Sequence, residues 1–280
     1  MIENINWYPG HMKKTRALIQ ENLKLVDAVI EVIDARIPVS SRNPIIDDLV
    51  RDKPRIIALN KSDLADEAGN RLWKEHFAKL PVVLLNSMSG SGVKNLLRLL
   101  EEMEKEKHAG RSSVKPYRLM IVGVPNVGKS SLINRLTGKK SARTGDRPGV
   151  TKGKQWLKLD NGMQLLDTPG ILWPKFEDPK AGLDLAFCGS IKDEILDVPT
   201  LGMELIGVLA ERYPELLKER YKLEEIAETP LENMENMAIK RGCILSGMRI
   251  DYERIGKLVL DEFRSAKIGR ITLEFPEEQR

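Results

Sequence analysis

Apolar and polar residues alternate along the first part of the chain in a pattern that predicts strands and helices in turn. Short β-branched or apolar runs predict strands at 26–33, 55–59, 82–85, 119–122, 155–159 and 164–166. Apolar residues at helical spacing predict helices at 44–50, 66–78, 93–105 and 129–136. Because strands that alternate with helices usually form a parallel sheet, we expect an α/β fold with a mostly parallel sheet.

The pattern changes after about residue 174. Helical spacing dominates from there, and the last strand-like alternation lies at 271–275. The helices predicted in this part are 201–212, 231–240 and 252–263. A polar segment at 104–116 is typical of a linker within the first part. We therefore predict two domains, an α/β domain over 1–177 and a helical domain over 178–280.

Composition is that of an ordinary folded protein. The chain has 280 residues, of which 41% are hydrophobic and 31% charged, so it can bury a core without cross-links. Its two cysteines, Cys188 and Cys243, are too few for a disulfide framework or a four-ligand zinc site. No run of about 18 apolar residues predicts a membrane span, and the first residues lack the features of a secretory signal. We expect a cytoplasmic protein.

Charge is distributed unevenly along the chain, whose net charge is +4. Residues 171–280 contain 16 Lys/Arg and 22 Asp/Glu, a balance of −6, whereas residues 1–170 carry a balance of +10. Within 107–158 there are 13 basic residues and a single acid, Asp146. A solvated surface explains many basic stretches, but this one surrounds the motif described next. A polyanionic partner is therefore an equal alternative.

Residues Gly123–Ser130 have the sequence G-V-P-N-V-G-K-S and match the phosphate-binding loop G-x4-G-K-[ST]. A predicted strand precedes the match and a predicted helix follows it, which is the context that this motif requires. The glycines let backbone N–H groups turn toward a phosphate, and the helix N-terminus adds partial positive charge. We expect Lys129 to contact the β- and γ-phosphates and the Ser130 hydroxyl to ligate Mg²⁺.

A second motif, Asp167–Gly170 (D-T-P-G), follows the last strand predicted in the α/β domain. A carboxylate at that position can hold Mg²⁺ through water, and the N–H of Gly170 can face a γ-phosphate. Between the two motifs, Thr151 is the candidate for a Mg²⁺ ligand that senses the γ-phosphate. Thr144 lies in the same loop and is the alternative. Thr151 is favoured because residues 147–151 lead straight into the next strand.

A third motif, Asn60–Asp63 (N-K-S-D), ends another predicted strand. The Asp63 carboxylate can accept hydrogen bonds from N1–H and N2–H₂ of guanine, a donor pair that adenine lacks. Asn60 can bridge to the phosphate-binding loop, and the stem of Lys61 can cover the purine. After the following strand, backbone N–H groups of Asn86–Met88 can contact guanine O6. The plainer alternative for N-K-S-D is a polar turn in which Asp63 caps the following helix.

Together these motifs predict a GTPase in which the order of the motifs is unusual. N-K-S-D precedes the phosphate-binding loop here, whereas it follows that loop in ordinary small GTPases. The order leaves the chemistry unchanged, because ligands bind at the carboxyl ends of parallel strands however the chain connects them. A circular permutation does place the segment after D-T-P-G directly before the helical domain.

The permuted order closely resembles the circularly permuted GTPases of the YlqF/RbgA type, which act in biogenesis of the large ribosomal subunit. The resemblance covers essentially the whole chain and includes W-Y-P-G-H-M at Trp7–Met12, D-A-R-I-P at Asp34–Pro38 and D-T-P-G-I-L-W-P at Asp167–Pro174. It implies a permuted GTPase domain over 1–177 and a helical domain over 178–280 that contacts rRNA. It also implies hydrolysis stimulated by a precursor of the large subunit, with no membrane or DNA as partner.

The site is expected to bind GTP or GDP together with Mg²⁺. The expected nucleotide-binding residues are Asn60, Lys61, Asp63, Asn86, Ser87, Asn126, Val127, Gly128, Lys129, Ser130, Ser131 and Gly170. The expected Mg²⁺ ligands are Ser130, Thr151 and Asp167. The expected catalytic residues are His11, Lys129 and Thr151.

Hydrolysis needs a positioned water molecule, and the sequence lacks one common means of positioning it. Ile171 follows the glycine of D-T-P-G, where many GTPases have a glutamine, so we expect slow intrinsic turnover. The resemblance places His11 near the catalytic centre, where an imidazole suits proton handling. A structural or rRNA-contacting role for His11 is the equal alternative. Asn126 resembles the phosphate-loop asparagine of K⁺-stimulated GTPases, which implies a K⁺ site.

Two further functions are compatible with the sequence: an rRNA-binding assembly scaffold in which GTP is mainly structural, and a permuted GTPase that acts on another RNA particle. An ATP-using kinase with the same loop is disfavoured by Asp63. Basic residues flanking Thr151 can bind rRNA phosphates or form a free loop; they are Lys139, Lys140, Arg143, Arg147, Lys152 and Lys154.

Overall fold

The structure, a computed structural model, describes residues 17, 19–50, 53–109, 115–138, 155–167 and 178–276, except the side chains of 45, 155 and 167. The chain divides into two compact units. The first comprises the residues up to Gly182 together with those from Thr272 onward, and the second comprises Leu183–Ile271. The predicted boundary lies between 177 and 178, and the predicted helical domain includes the residues that return to the first unit. Among the described residues, no helix is both long and apolar enough to cross a membrane.

One six-stranded sheet forms the centre of the first unit. Its strands are β1 (Ala28–Asp34), β2 (Arg55–Asn60), β3 (Val82–Leu84), β4 (Arg118–Val122), β5 (Gln155–Lys158) and β6 (Gln164–Asp167). Their order is β3-β2-β1-β4-β6-β5, and neighbouring strands are parallel except β5 and β6. The predicted α/β fold with a mostly parallel sheet is confirmed. The central strands are mostly apolar, as expected of parallel strands that are covered on both faces, although β1 includes Glu31.

In the first unit, each of the strands β1 to β4 is followed by one helix. These helices are α1 (Pro44–Leu49), α2 (Glu67–His76), α3 (Val93–His108) and α4 (Lys129–Leu136), after a helical stretch at 19–23. One buried cluster joins Ile19 and Ile46 to strand residues such as Met120. A second joins Trp73 of α2 to strand residues such as Ile57. Because α3 continues to His108, the predicted linker at 104–116 begins as helix.

The second unit is mainly helical. Helix α5 (Pro179–Phe187) leads into it from the first unit. The elements that follow are α6 (Val198–Arg212), α7 (Pro214–Tyr221), α8 (Pro230–Arg241), a hairpin of β7 (Ile244–Leu245) and β8 (Arg249–Ile250), and α9 (Tyr252–Arg264). The predictions for 201–212, 231–240 and 252–263 correspond to α6, α8 and α9. Helices α5 and α7 are not among the predicted elements.

Two glycines bring α6 and α9 close together. A Cβ atom built on Gly202 would lie 2.6 Å from Cα of Gly256, and one built on Gly256 would lie 2.8 Å from the carbonyl oxygen of Val198. Contacts this short involve backbone atoms, which a rotation of a side chain cannot relieve. The core of the second unit therefore depends on small residues at this crossing.

The alternation at 271–275 predicts a strand, and this prediction is wrong. The residues form no ladder; instead the N–H of Leu273 donates to the carbonyl oxygen of Arg36 at 2.8 Å. The Thr272 hydroxyl oxygen accepts from the N–H of Asp66 at 3.0 Å. The returning segment, Thr272–Glu274, is thus bound to the first unit by single backbone and side-chain contacts.

Glu274 provides the largest set of these contacts. Its buried carboxylate accepts hydrogen bonds from the backbone N–H of Val39 at 2.6 Å and of Ser40 at 3.0 Å, and from the Ser40 hydroxyl. Its carbonyl oxygen accepts from the indole N–H of Trp73 at 2.7 Å. The returning segment therefore fixes the loop that follows β1 and the helix that follows β2.

Candidate functional site

The loop Gly123–Ser130 joins β4 to α4 and has the backbone that a phosphate-binding loop requires. The φ angles of Gly123 and Gly128 are +151° and +97°, a region that favours glycine. A Cβ on Gly123 would lie 2.3 Å from the carbonyl oxygen of Val32, and one on Gly128 would lie 2.2 Å from Nδ2 of Asn60. Both glycines are therefore needed, because the ends of β1 and β2 approach the loop closely.

Lys129 is the first residue of α4, and its side chain turns back into this loop. Its Nζ donates to the carbonyl oxygens of Gly123 at 3.0 Å and Val124 at 2.7 Å, and the residue is only 8% exposed. The first turn of α4 contributes N–H groups that have no partner within the helix. Ser130 and Ser131 of this turn are partly exposed. A held ammonium beside these N–H groups creates an anion-binding environment.

Asn60 connects the end of β2 with two other loops. Its Nδ2 donates to the carbonyl oxygen of Val127 at 2.7 Å and to the Ser87 hydroxyl at 3.1 Å. Its Oδ1 accepts from the N–H of Ser87 at 3.0 Å, and the side chain is buried. The predicted bridge from Asn60 to the phosphate-binding loop is therefore present in the structure.

The rest of the N-K-S-D loop is fixed against the end of β3. The N–H and the hydroxyl of Ser62 both donate to the carbonyl oxygen of Leu85, at 3.0 and 2.9 Å. Nδ2 of Asn70 donates to the carbonyl oxygen of Ser62 at 2.8 Å. Asp63 is exposed on this loop. Its carboxylate is therefore accessible to a ligand while the backbone beneath it is held in place.

The loop after β3 is closed by its own side chains. Oδ1 of Asn86 accepts from the N–H groups of Met88 and Ser89, each at 2.9 Å. The N–H of Ser87 is already bonded to Asn60. The N–H groups that the sequence offers for guanine O6 are thus engaged within the protein, and a base must share one of them. The N–H of Asn86 donates to the carbonyl oxygen of Ser91 at 3.0 Å, and of these three residues Met88 is the most exposed, at 75%.

An ion-pair group at the ends of β1 and β2 joins the predicted residue Lys61 to Asp34 and Arg36, which the sequence does not predict for the site. Asp34, the last residue of β1, is 1% exposed and accepts from Nε and Nη2 of Arg36 at 2.9 and 2.8 Å. Nζ of Lys61 lies 2.9 Å from Oδ2 of Asp34. Burial alone would raise the pKa of Asp34, but Arg36 and Lys61 hold that pKa well below its usual range. The sequence signal for this group is D-A-R at Asp34–Arg36, a motif that resembles a family signature but does not by itself predict an ion pair.

The predicted Mg²⁺ ligands that lie in the described part fit that ion. Ser130 brings a hydroxyl to the first turn of α4. Leu166 pairs with Met120 in the parallel ladder, so the backbone of Asp167 reaches the sheet edge next to the end of β4. Hydroxyl and carboxylate oxygens are ligands that Mg²⁺ takes together with nucleotide phosphates. No group of three or more His, Cys, Asp or Glu in the described residues could hold a metal alone.

Several predicted residues lie outside the described part of the chain, and their roles stay predictions. They are His11, Thr151, its alternative Thr144, Gly170, the side chain of Asp167, Ile171 and the basic residues Lys139, Lys140, Arg143, Arg147, Lys152 and Lys154. The described residues nevertheless include the phosphate-binding loop, the N-K-S-D loop and the loop after β3. These three loops meet at the carboxyl ends of parallel strands, where ligands bind in such sheets.

Comparison with known proteins decides the family. Ribosome biogenesis GTPase A of Bacillus licheniformis is 48% identical to this chain, over 98% of the chain and 99% of that protein. The chain belongs to the ribosome biogenesis GTPase A family. It is therefore a GTPase of ribosome biogenesis that binds guanine nucleotide, and the resemblance identified from the motifs is confirmed. The Thermotoga maritima member of the family is 35% identical over 98% of this chain and 95% of that protein.

More distant relatives and solved structures agree with this assignment. Mitochondrial ribosome-associated GTPase 1 of Mus musculus is 34% identical over 96% of this chain and 89% of that protein. The structure of GNP-bound YlqF from T. maritima has a TM-score of 0.67 and 33% identity, covering 94% of this chain and 99% of that one. A GDP-bound YlqF structure also has a TM-score of 0.67, with 34% identity, and covers 93% of this chain and 99% of that one.

The family model described as 50S ribosome-binding GTPase matches residues 118–236. The match begins at β4 and leaves out β1 to β3, which precede β4 in this ribosome biogenesis GTPase. The base-recognition motif N-K-S-D therefore lies outside the match although its Asn60 is bonded to the phosphate-binding loop. The circular permutation explains this division, because it moves that half of the GTPase domain to the start of the chain.

Proposed function

We propose that this protein hydrolyses GTP to GDP and phosphate as a switch in late assembly of the large (50S) ribosomal subunit, and that the assembling particle activates it. The observation that carries the nucleotide site is the Asn60 side chain, which joins the N-K-S-D loop to the phosphate-binding loop. The names of the relatives support the ribosomal role, and the description of the matching family model supports the large subunit. The buried thiols Cys188 and Cys243, which form no disulfide, are compatible with the cytoplasm.

In this proposal the phosphate-binding loop holds the β- and γ-phosphates. Lys129 supplies a positive charge from within the loop, and N–H groups of Val127, Gly128 and the first turn of α4 surround the phosphates. At the opposite end of the nucleotide, Asp63 accepts from guanine and Lys61 covers the purine face. Ser87, Asn86 and Gly170 complete the binding residues.

We propose that Ser130, Thr151 and Asp167 hold Mg²⁺, the first directly and the carboxylate through water. When bound, Mg²⁺ neutralises phosphate charge that develops during transfer. Hydrolysis then also requires a group that positions the attacking water. Ile171 cannot hydrogen-bond to water, so His11 or a group from the particle is proposed to orient it. Because Ile171 cannot position the water, we expect slow hydrolysis by the isolated protein.

The switch is tested by GTP hydrolysis under single-turnover conditions with and without immature large subunits. Stimulation by these particles, and none by mature small subunits, is expected. Equal rates with all particles would favour the scaffold in which GTP is mainly structural. Stimulation by a different RNA particle would replace the large subunit as partner.

The base contact is tested with Asp63→Asn. An amide in place of the carboxylate mismatches the donor pair of guanine but suits xanthine, so we expect the preferred nucleotide to change from guanosine to xanthosine triphosphate. The measurement is calorimetric titration with both nucleotides in the presence of Mg²⁺. An unchanged preference would remove Asp63 from the base contact, and tighter binding of ATP than GTP by the wild-type protein would overturn the site as a whole.

A K⁺ site at Asn126 is proposed as an additional source of positive charge. Asn126 has a left-handed backbone, with φ of +60°, at the turn of the phosphate-binding loop. Its side-chain oxygen is the proposed ligand. We expect faster hydrolysis in K⁺ than in Na⁺ buffers of equal ionic strength, and a reduced difference in Asn126→Ala. Equal rates of the wild-type protein in both buffers would exclude the site.

A further inference from the structure

Asp34 is a buried carboxylate that the proposed chemistry of the site does not use. It is the last residue of β1 and pairs in the parallel ladder with Asn60, the first residue of N-K-S-D. Its side chain is 1% exposed. A carboxylate is seldom buried unless cations neutralise it, so its partners indicate why it lies there.

Arg36 alone is sufficient to neutralise this carboxylate. Its guanidinium contacts both oxygens of Asp34, at 2.9 and 2.8 Å, and its backbone N–H donates to Oδ1 at 3.1 Å. Arg36 is as deeply buried as Asp34, so the pair compensates its own charge. The ammonium of Lys61 is therefore a second cation on a carboxylate that already has one.

Lys61 differs from Arg36 because its side chain reaches the surface of the site. It is 22% exposed, and its Nζ lies 2.9 Å from Oδ2 of Asp34. The backbone of Lys61 has φ of +58°, a conformation that non-glycine residues adopt at a cost. Both the backbone and the ammonium end of Lys61 are thus fixed, and the aliphatic stem between them is held in one orientation.

A long, flexible lysine normally loses rotamer freedom when it orders over a ligand. Fixing the stem before the ligand arrives removes much of that cost, which is the general advantage of preorganisation. Lys61 is the residue expected to cover the purine. The ion pair with Asp34 therefore influences the contact of Lys61 with the face of the base, whereas Asp63 contacts the edge of the base.

We propose that Asp34 is a positioning residue that holds Lys61 in the orientation in which its stem covers guanine. The proposal rests on the proposed binding of guanine nucleotide through N-K-S-D. Arg36 has a separate role, because it keeps the carboxylate charged and buried whether or not a nucleotide is bound.

The test is a cycle of variants in which affinity for GDP is measured by titration. Asp34→Asn is expected to weaken GDP binding roughly three- to tenfold, the effect of releasing one long side chain. Lys61→Ala is expected to weaken it at least as much. In the Lys61→Ala background, Asp34→Asn is expected to cause no further loss, because the side chain that it positions is gone.

A matched control is Asp27→Asn, at the residue that precedes β1. Asp27 also accepts from a lysine, Lys107, and from the backbone N–H of Arg118 at 2.8 Å. It lies at the amino end of the strand, away from the carboxyl ends that form the site. Its substitution is expected to leave GDP affinity within twofold of the wild-type value.

Removing one partner of a buried ion pair can prevent folding. The comparison is therefore repeated with Asp34→Asn and Arg36→Gln combined, which removes both buried charges. The double variant is expected to lose GDP affinity when Lys61 is present, and to show no further loss when Lys61→Ala is added.

An equal loss with and without the Lys61 side chain, or no loss at all, would overturn the positioning role of Asp34 alone. A wild-type protein that does not bind GDP would overturn the proposed nucleotide site, and the positioning role with it.

Discussion

At the scale of single residues, Asn60 shows how one amide can organise a site built from distant parts of the sequence. It bonds to Val127, which is 67 positions away, and to Ser87, which is 27 positions away. The apolar run at 55–59 predicts that Asn60 lies at the end of a strand, and the N-K-S-D motif predicts that its side chain bridges to the phosphate-binding loop. The amide is buried, so both of its contacts exclude water and neither is easily replaced.

Asn60→Ala is expected to leave the N–H of Ser87 and the carbonyl oxygen of Val127 without this partner. The free energy of unfolding should fall by about 1–3 kcal/mol, and GDP affinity should fall roughly tenfold or more. Denaturant unfolding and GDP titration measure the two effects.

A buried asparagine of the second unit provides the control. Asn233 exchanges hydrogen bonds with Ala227 at 2.8 and 3.0 Å, and donates to Thr229 at 3.1 Å. Asn233→Ala should destabilise the protein by a similar amount and leave GDP affinity unchanged. Equal losses of affinity in both variants would mean that Asn60 acts through stability alone.

How far the site could be predicted is clear from Asp34 and Lys61. Lys61 belongs to a motif with a known spacing, and the sequence predicts it. Its ion pair with Asp34 depends on β1 and β2 being neighbours in register, and the sequence pattern does not determine that pairing. The hydrogen bond from the Met88 N–H to Asn86 is equally hard to predict, because it depends on a turn that the motif does not specify.

At the scale of secondary-structure elements, the close approach of α6 and α9 makes a specific demand on side-chain size. Gly256→Ala is expected to lower the free energy of unfolding by about 1–3 kcal/mol. The added Cβ would lie 2.8 Å from a backbone oxygen of Val198, and this clash outweighs the helix propensity gained, which is about 1 kcal/mol.

Gly207→Ala, on α6 itself, is the comparison for this effect. Its Cβ would meet a ring carbon of Pro230 at 3.1 Å, a side-chain contact that a small shift relieves. Thermal unfolding of the two variants should give a clearly larger loss for Gly256→Ala. Equal or reversed stabilities would indicate that the two helices can separate without cost.

The sequence predicts the strands of the sheet and the longer helices, and it misses α5 and α7. Strand β1 is apolar except for Glu31 and Asp34, whereas α7 is short and mostly polar. The wrong strand at 271–275 has a different cause. Leu273 is buried and the neighbouring residues alternate, but their partners are Arg36, Trp73 and a loop instead of another strand.

At the scale of the whole molecule, the separation of charge between the two parts of the sequence predicts a salt effect. Raising NaCl at constant K⁺ from about 50 to 200 mM should reduce particle-stimulated hydrolysis strongly, because phosphate contacts release counterions. Intrinsic hydrolysis should change little over the same range. The two rates, measured in parallel, check this expectation, and an equal dependence on salt would argue against a basic contact with RNA.

The returning segment also makes stability depend on pH. Burial raises the pKa of Glu274, so the folded protein binds this proton more tightly than the unfolded chain does. Relative to Glu274→Gln, wild-type stability should be greatest at or below the ordinary value of 4.5 and should fall as pH rises through the raised pKa. Denaturant unfolding of both proteins across this range measures the difference.

Glu262 provides a comparison of opposite sign. Burial would raise the pKa of Glu262, but its hydrogen bonds from Arg220 outweigh that effect and lower it. Relative to Glu262→Gln, the wild-type advantage should be present above the ordinary value of 4.5 and lost as pH falls through the lowered pKa. Parallel slopes for the two pairs of proteins would contradict these assignments.

The long separation in sequence between Glu274 and its partners, 235 positions from Val39 and 201 from Trp73, has a consequence for biosynthesis. During translation the residues that it contacts, Val39, Ser40 and Trp73, leave the ribosome long before it does. Until Glu274 is translated, the nascent nucleotide-binding unit lacks the carboxylate that accepts two of its backbone N–H groups. A prematurely terminated product would keep all the nucleotide motifs and still be incompletely folded, which would expose it to proteolysis.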